Sequence, residues 1–192
     1  MLETLLAYVP YTVVAIFTPG PNNIMVLYSV STAGWKKGRE VIAGIFTGFC
    51  ILMALAILFC NELAKYIPGL MKYLKYIGAA YILWLAYHVA TSKPGEAHNG
   101  PINFRSGFIL SISNMKVILN FITIFTVYII PTGASLGEMF FHGGVIIFLA
   151  AVSWLLWGTA GGLLQKFLTR YYRPFNITMG IILAWCAVKI LM

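Results

Sequence analysis

A helix-breaking motif lies inside an apolar segment that is long enough to cross a membrane. The segment Leu5–Val30 contains two prolines, a glycine and two asparagines near its middle. Because proline has no N–H, Pro19 and Pro21 leave the carbonyl groups of Ala15 and Phe17 without their usual helical donors. In hydrocarbon such groups are tolerated only where protein or a water-lined cavity satisfies them. A helix broken inside the membrane is the best pointer in a sequence to a transport site.

The composition indicates an integral membrane protein. The 192 residues are 60 % apolar and 9 % charged, whereas soluble domains are typically about 45–50 % apolar and about 25 % charged. We expect an all-α protein with one domain over residues 1–192 and six membrane helices. The six apolar segments are Leu5–Val30, Val41–Cys60, Leu70–Ala90, Ser106–Ile130, Met139–Leu164 and Phe175–Met192.

The loops between these segments carry most of the charge and most of the glycines and prolines. The first, third and fifth loops contain eight Lys and Arg, and the opposite side contains four. The positive-inside rule therefore places the odd loops in the cytoplasm and both termini outside. This distribution explains the net charge of +8 better than a nucleic-acid surface does. The helix breakers Gly34, Gly38 and Pro174 are assigned to the first and fifth loops.

A second polar interruption, residues 111–116, lies in the fourth segment. It is the second candidate for a break, and its Asn114 follows Asn22 by 92 positions, close to half the chain. Three segments in each half, about 1–95 and 101–192, give the halves opposite orientations. That arrangement is an inverted repeat, whose site is expected where the halves meet.

The first break offers partners for both charges of an amino acid. The helix before it ends in carbonyl oxygens, and the helix after it begins with N–H groups, so opposite ends of two helix dipoles face one gap. A zwitterionic substrate matches that arrangement, and a kink that only shapes the bundle is the alternative. The expected substrate-binding residues of the two interruptions are Thr18, Pro19, Gly20, Pro21, Asn22, Asn23, Asn114 and Lys116.

Lys116 is the only charged residue well inside an apolar segment. The chain has no Asp, and its five Glu residues lie near segment ends. An ionisable residue inside a membrane is a functional candidate by default. Lys116 can bind a substrate carboxylate, take part in proton coupling or cap carbonyl groups at a break. The alternative is that its ammonium reaches the cytoplasmic interface.

The remaining motifs indicate helix packing rather than chemistry. Two pairs of small residues, Gly44 with Gly48 and Gly158 with Gly162, are typical of closely packed helices. The histidines stand singly, so we expect no metal site. No nucleophile lies with an evident base, so we expect neither an enzyme nor a cofactor.

The chain resembles the LysE/RhtB family of bacterial amino-acid exporters over its whole length. The resemblance rests on residues 18–23 followed by Gly34, Gly38, Gly44 and Gly48. The family's second signature is Asn-Pro-Lys, and here Met115 replaces the proline. The pattern Asn-x-Lys-x-Ile-Leu and the segment 78–86, Gly-Ala-Ala-Tyr-Ile-Leu-Trp-Leu-Ala, look most like the branch that exports cysteine and O-acetylserine.

The resemblance implies a six-helix inner-membrane protein that exports small amino acids or their derivatives, driven by the proton motive force. Homoserine or threonine is a second substrate type within that expectation. The implied partners are an amino acid, the lipid bilayer and, as a candidate coupling ion, the proton. An uncoupled channel or facilitator is the competing reading, because no deep carboxylate is present to carry protons. The sequence leaves the oligomeric state open, with a homodimer among the possibilities.

Overall fold

The computed structural model describes residues 2–66, 68–91 and 101–191, and these residues contain helices and no strand. The α-helix Met115–Thr123 continues as a π-helical segment, Ile124–Ile129, and a 3₁₀ turn, Ile130–Thr132. The expected boundary between the two halves, near residue 95, lies outside the described residues. The α-helices are α1 Leu2–Phe17, α2 Pro21–Tyr66, α3 Pro68–Thr91, α4 Phe104–Ile112, α5 Met115–Thr123 and α6 Leu136–Leu191.

The outer surface of the helices is apolar. Leu55, Phe148 and Ile181 are each more than half exposed, and large exposed apolar surfaces are rare in soluble monomers. Three described helical runs are long and apolar enough to cross a membrane, and Leu2–Phe17 is a shorter apolar helix. An all-α fold suited to a bilayer is therefore observed, whereas six crossings in an inverted repeat stay a prediction. The three long runs are Pro21–Leu63, Met115–Thr132 and Leu136–Ala160.

The first apolar segment is broken where the prolines predict. The N–H of Thr18 donates to the carbonyl of Val14 at 3.0 Å, which closes the last turn of α1. The N–H of Ile24 donates to the carbonyl of Gly20 at 2.9 Å, which opens α2. Pro21 is the first residue of α2, a position where its missing N–H costs nothing. The break is therefore confined to three residues.

The fourth segment is also two helices, although it lacks the family's proline. α4 ends at Ile112, and α5 begins at Met115. Asn114 lies between them with φ −78° and ψ 98°, and its side chain accepts a hydrogen bond from the N–H of Lys116. Asparagine is among the most favourable N-cap residues. A capping side chain therefore starts the new helix where proline would otherwise interrupt the old one.

Two expected loops differ in the structure: one is a kink between two helical runs, and the other is helical. Gly34 interrupts α2 as a kink with φ 73° and ψ 173°, a conformation open to glycine because it has no Cβ. The following Trp35 packs on Gly158, where a Cβ would lie 2.9 Å from a ring carbon. Pro174 lies inside α6 rather than between helices. Two helical runs therefore meet at Gly34, as a break in the chain there predicts, whereas the assignment of Pro174 to a connecting loop was wrong.

The helices α2 and α4 cross with their backbones in contact. A Cβ added at Gly44 would overlap the carbonyl oxygen of Phe104, and one at Gly48 would lie 2.9 Å from Ser111 Cβ. A Cβ added at Gly107 of α4 would likewise overlap the carbonyl oxygen of Val41. Small residues allow such close approach between membrane helices. This crossing brings α4, and the break that follows it, against α2.

Candidate functional site

The two helix breaks meet inside the protein. Asn114 Nδ2 donates to Asn22 Oδ1 at 3.2 Å, across 92 positions of sequence. Both side chains are buried. A hydrogen bond between two side-chain amides therefore joins the start of α2 to the start of α5.

A cavity of about 40 Å³ lies between the breaks. Since one water needs about 10–15 Å³ of such space, the cavity accommodates about three waters in this conformation. Phe49, Ala150 and Trp154 form an apolar wall. Two expected site residues, Thr18 and Pro19, do not line the cavity. The side-chain surroundings of Gly162, an expected packing residue, lie outside what the structure describes. The expected site residues that line the cavity are Gly20, Pro21, Asn22, Asn23, Asn114 and Lys116.

Asn23 satisfies the carbonyl end of α1. Its Nδ2 donates to the carbonyl of Ile16 at 2.6 Å and to that of Thr18 at 3.1 Å. The hydroxyl of Ser153 also donates to the Ile16 carbonyl, at 3.3 Å, and the hydroxyl of Thr18 donates to the carbonyl of Ala15 at 3.1 Å. These carbonyls are therefore already hydrogen-bonded, whereas the sequence led us to expect them free for a substrate ammonium.

Lys116 projects from the first turn of α5 towards the first break. Its Nζ donates to Thr18 Oγ1 at 3.1 Å. A Cβ at Gly20 would lie 3.0 Å from the same Nζ, so the glycine leaves space for the ammonium. Tyr81 donates from its hydroxyl to the Lys116 carbonyl at 3.1 Å and so ties α3 to the site. Lys116 is the only ionisable side chain among the described residues that line the cavity.

The electrostatic character of the cavity is positive. α2 and α5 both begin at its edge, and the N-terminus of a helix carries a partial positive charge with N–H groups that favour anions. The ammonium of Lys116 adds a full charge. The arrangement can therefore hold a carboxylate.

Asn120 is a lining residue that the sequence analysis missed. It is buried, borders the cavity, and accepts a hydrogen bond on Oδ1 from the hydroxyl of Tyr11. Asn120 follows Lys116 by four positions, so the two lie on one face of a helix. That spacing could have identified it. Phe49 was also missed, and nothing distinguishes it in the sequence from the other apolar residues of its segment.

Comparison with known proteins identifies the family. Residues 13–192 match the model of the LysE type translocator. The chain is 36 % identical over 196 residues to a cysteine/O-acetylserine efflux protein of Escherichia coli strain UTI89, and the match covers 99 % of each chain. The efflux protein of the same name from Shigella sonnei has the same identity and coverage. No solved structure matches. With the family model covering nearly the whole sequence, the chain belongs to the LysE family of translocators.

Proposed function

We propose that this protein is a secondary transporter that exports small α-amino acids or their derivatives from the cytoplasm. Cysteine and O-acetylserine are the first candidate substrates, and homoserine and threonine are the second. The observation that carries the proposal is the cavity at which two helix breaks meet, joined by the Asn22–Asn114 hydrogen bond. The full-length similarity to cysteine/O-acetylserine efflux proteins supports the substrate class.

The chemistry of the cavity favours a small zwitterion with a neutral side chain. Lys116 and the two helix N-termini attract a carboxylate, and asparagine side chains supply uncharged polar partners. No Asp or Glu is present among the lining residues that the structure describes, so a second positive charge on the substrate would find no counter-ion. The small cavity and its apolar wall suit a short side chain.

The helix lengths support six membrane crossings. α2 has 46 residues, divided by the Gly34 kink, and α6 has 56, and one membrane crossing takes about 20 helical residues. A hydrocarbon core is about 30 Å thick, so each of these runs is long enough for two crossings. α3 supplies one further crossing, and the α4–α5 pair supplies another. In this count α1 and the start of α2 together form a single crossing. We propose this arrangement in the bacterial inner membrane, with the halves as an inverted repeat and both termini outside.

An uncoupled facilitator is the second candidate function. The observation in its favour is that the described lining of the cavity contains no carboxylate to carry a proton, and the chain has no Asp. Under our proposal, Lys116 or the substrate itself takes part in proton coupling. The two functions differ in whether a pH gradient changes the transport rate.

Efflux measurements test the proposal. Cells that overproduce the protein should export labelled cysteine or O-acetylserine faster than control cells, and leucine and lysine no faster. Purified protein in proteoliposomes should then transport the exported compound faster when a pH gradient is imposed. Equal export of all these compounds would contradict the proposal, and so would no export of any of them or of homoserine and threonine. A saturable transport rate that does not change with the pH gradient would indicate the facilitator instead.

A further inference from the structure

Four asparagine side chains line the cavity: Asn22, Asn23, Asn114 and Asn120. A side-chain amide presents donors on its nitrogen and an acceptor on its oxygen. What each asparagine offers to a ligand therefore depends on which of its atoms is already bonded within the protein. Backbone groups and a tyrosine hydroxyl determine this for every one of them.

Asn114 determines the orientation of the side-chain amide of Asn22. The backbone N–H of Lys116 can only donate, so it must face Asn114 Oδ1, at 3.1 Å. Asn114 Nδ2 is thereby turned towards Asn22, which must accept through Oδ1, at 3.2 Å. Within the described part of the chain, no hydrogen bond occupies Asn22 Nδ2. Asn22 therefore presents a donor to the cavity.

The side-chain amide of Asn23 has the opposite orientation to that of Asn22, because its nitrogen rather than its oxygen is bonded within the protein. The carbonyls of Ile16 and Thr18 can only accept, so both receive hydrogen bonds from Asn23 Nδ2, at 2.6 Å and 3.1 Å. These two bonds use both protons of the amide nitrogen. The remaining polar atom, Asn23 Oδ1, makes no hydrogen bond to the described residues. Asn23 therefore presents an acceptor.

Tyr11 determines the orientation of the side-chain amide of Asn120. The Tyr11 side chain is fully buried, and its hydroxyl donates to Asn120 Oδ1. If the amide were reversed, the buried hydroxyl proton would lose its acceptor, which is costly. The Tyr128 ring stacks on the Tyr11 ring, with centroids 6.0 Å apart. Asn120 Nδ2, which no described residue binds, is left as a second donor.

We propose that the cavity recognises both ends of an α-amino acid, with Asn120 as a substrate-binding residue and Tyr11 as the residue that positions it. Asn22, Asn120 and Lys116 donate to the carboxylate. Asn23 Oδ1 accepts from the ammonium. The inference rests on the proposed function and adds to it a selectivity: a ligand that lacks either charged group binds more weakly than the zwitterion.

Three small thiols test this selectivity on purified protein in lipid nanodiscs under reducing conditions. L-cysteine carries both groups, cysteamine lacks the carboxylate, and 3-mercaptopropionate lacks the ammonium. For the wild-type protein we expect dissociation constants for the two analogues at least about tenfold higher than for cysteine, the usual effect of losing a hydrogen bond to a charged group.

The substitution Asn120→Asp is the decisive variant. Tyr11 can still donate to one carboxylate oxygen, but the atom that faces the cavity changes from a donor to an anionic acceptor. We expect cysteine to bind at least about tenfold more weakly and cysteamine to bind at least as well as before, so that the preference moves towards the amine. If the Asn120→Asp variant kept the wild-type preference for cysteine over cysteamine, the inference would be overturned.

Tyr11→Phe tests the positioning role and serves where Asn120→Asp does not fold. It keeps the stacked ring and frees the Asn120 amide to turn, so the preference for cysteine over cysteamine should fall several-fold. Tyr128→Phe is the matched control, because it removes a hydroxyl that does not bond Asn120, and it should keep the preference. An unchanged preference in Tyr11→Phe would overturn the inference and leave the proposed function standing. Wild-type protein that binds none of the thiols would overturn the inference, and if it also bound none of O-acetylserine, homoserine and threonine, it would overturn the proposed function as well.

Discussion

Asparagine side chains perform complementary tasks in the two breaks. Asn23 donates to carbonyls at the end of α1, and Asn114 accepts from an N–H at the start of α5. Each backbone group left unsatisfied in a membrane costs several kcal/mol. The short polar side chains therefore stabilise two chain interruptions within an apolar protein, and they also bring amide groups to the cavity.

Single residues were predictable from the sequence where they carry a strong local signal. The two prolines indicated the first break, and the 92-residue spacing placed Asn22 and Asn114 in one expected site where the halves meet. Asn120 was not predicted because an asparagine in the middle of a helix does not mark an end. The role of Asn23 depends on the path of the chain through the break, which composition and spacing do not specify.

Lys116→Met tests whether the buried charge is used in transport. The substitution keeps an unbranched apolar stem and removes the ammonium, which lies beside Thr18 Oγ1 at 3.1 Å. We expect membrane insertion and thermal stability to be retained, and transport of the exported amino acid to fall at least about tenfold, as a hydrogen bond to a charged group is lost. Transport into proteoliposomes and a thermal unfolding curve measure the two effects.

Lys37→Met is the control for this variant, because Lys37 is exposed and pairs with Glu40 at 3.0 Å. Such surface pairs contribute little, so transport should stay at the wild-type rate. Lys116→Arg keeps the charge and cannot release a proton. Partial activity in this variant would indicate a carboxylate anchor. Full activity of Lys116→Met would exclude Lys116 from the mechanism.

At the scale of helices, the crossing of α2 and α4 is the contact that positions the second break. Gly44 and Gly48 of α2 meet the backbone and side chains of α4. The sequence indicated the glycine pair as a packing motif but not its partner helix. It also placed a break at Gly34, where two helical runs meet at a kink. The helical path through Pro174 was missed, since proline in a helix interior commonly breaks the helix.

Gly44→Ala tests this crossing. Because the added methyl group would overlap the Phe104 carbonyl, the two helices must separate. We expect a loss of about 1–3 kcal/mol of stability, typical of overpacking, seen as a lower unfolding temperature in detergent. Gly144→Ala in α6 is the control: a Cβ there meets nothing within 4 Å, so its stability should be equal or slightly higher. Equal unfolding temperatures for both variants would contradict the close contact.

At the scale of the whole molecule, the orientation in the membrane follows from the basic loops. Reporter fusions after Lys37 and Arg170 should report the cytoplasm, and a fusion after Thr132 should report the outside. The loop near Thr132 has no Lys or Arg to hold it inside. A cytoplasmic signal after Thr132 would contradict the inverted arrangement of the two halves.

The central claim is that the two breaks form a substrate site of a carrier, and counterflow tests it most directly. Proteoliposomes are loaded with excess unlabelled L-cysteine under reducing conditions and diluted into a trace of labelled L-cysteine, with no ion gradient. A carrier that binds substrate on alternate sides should accumulate label transiently above equilibrium, and the same vesicles with Lys116→Met should not. Label that rises only to equilibrium in the wild-type protein, without an overshoot, would contradict the carrier and indicate a channel.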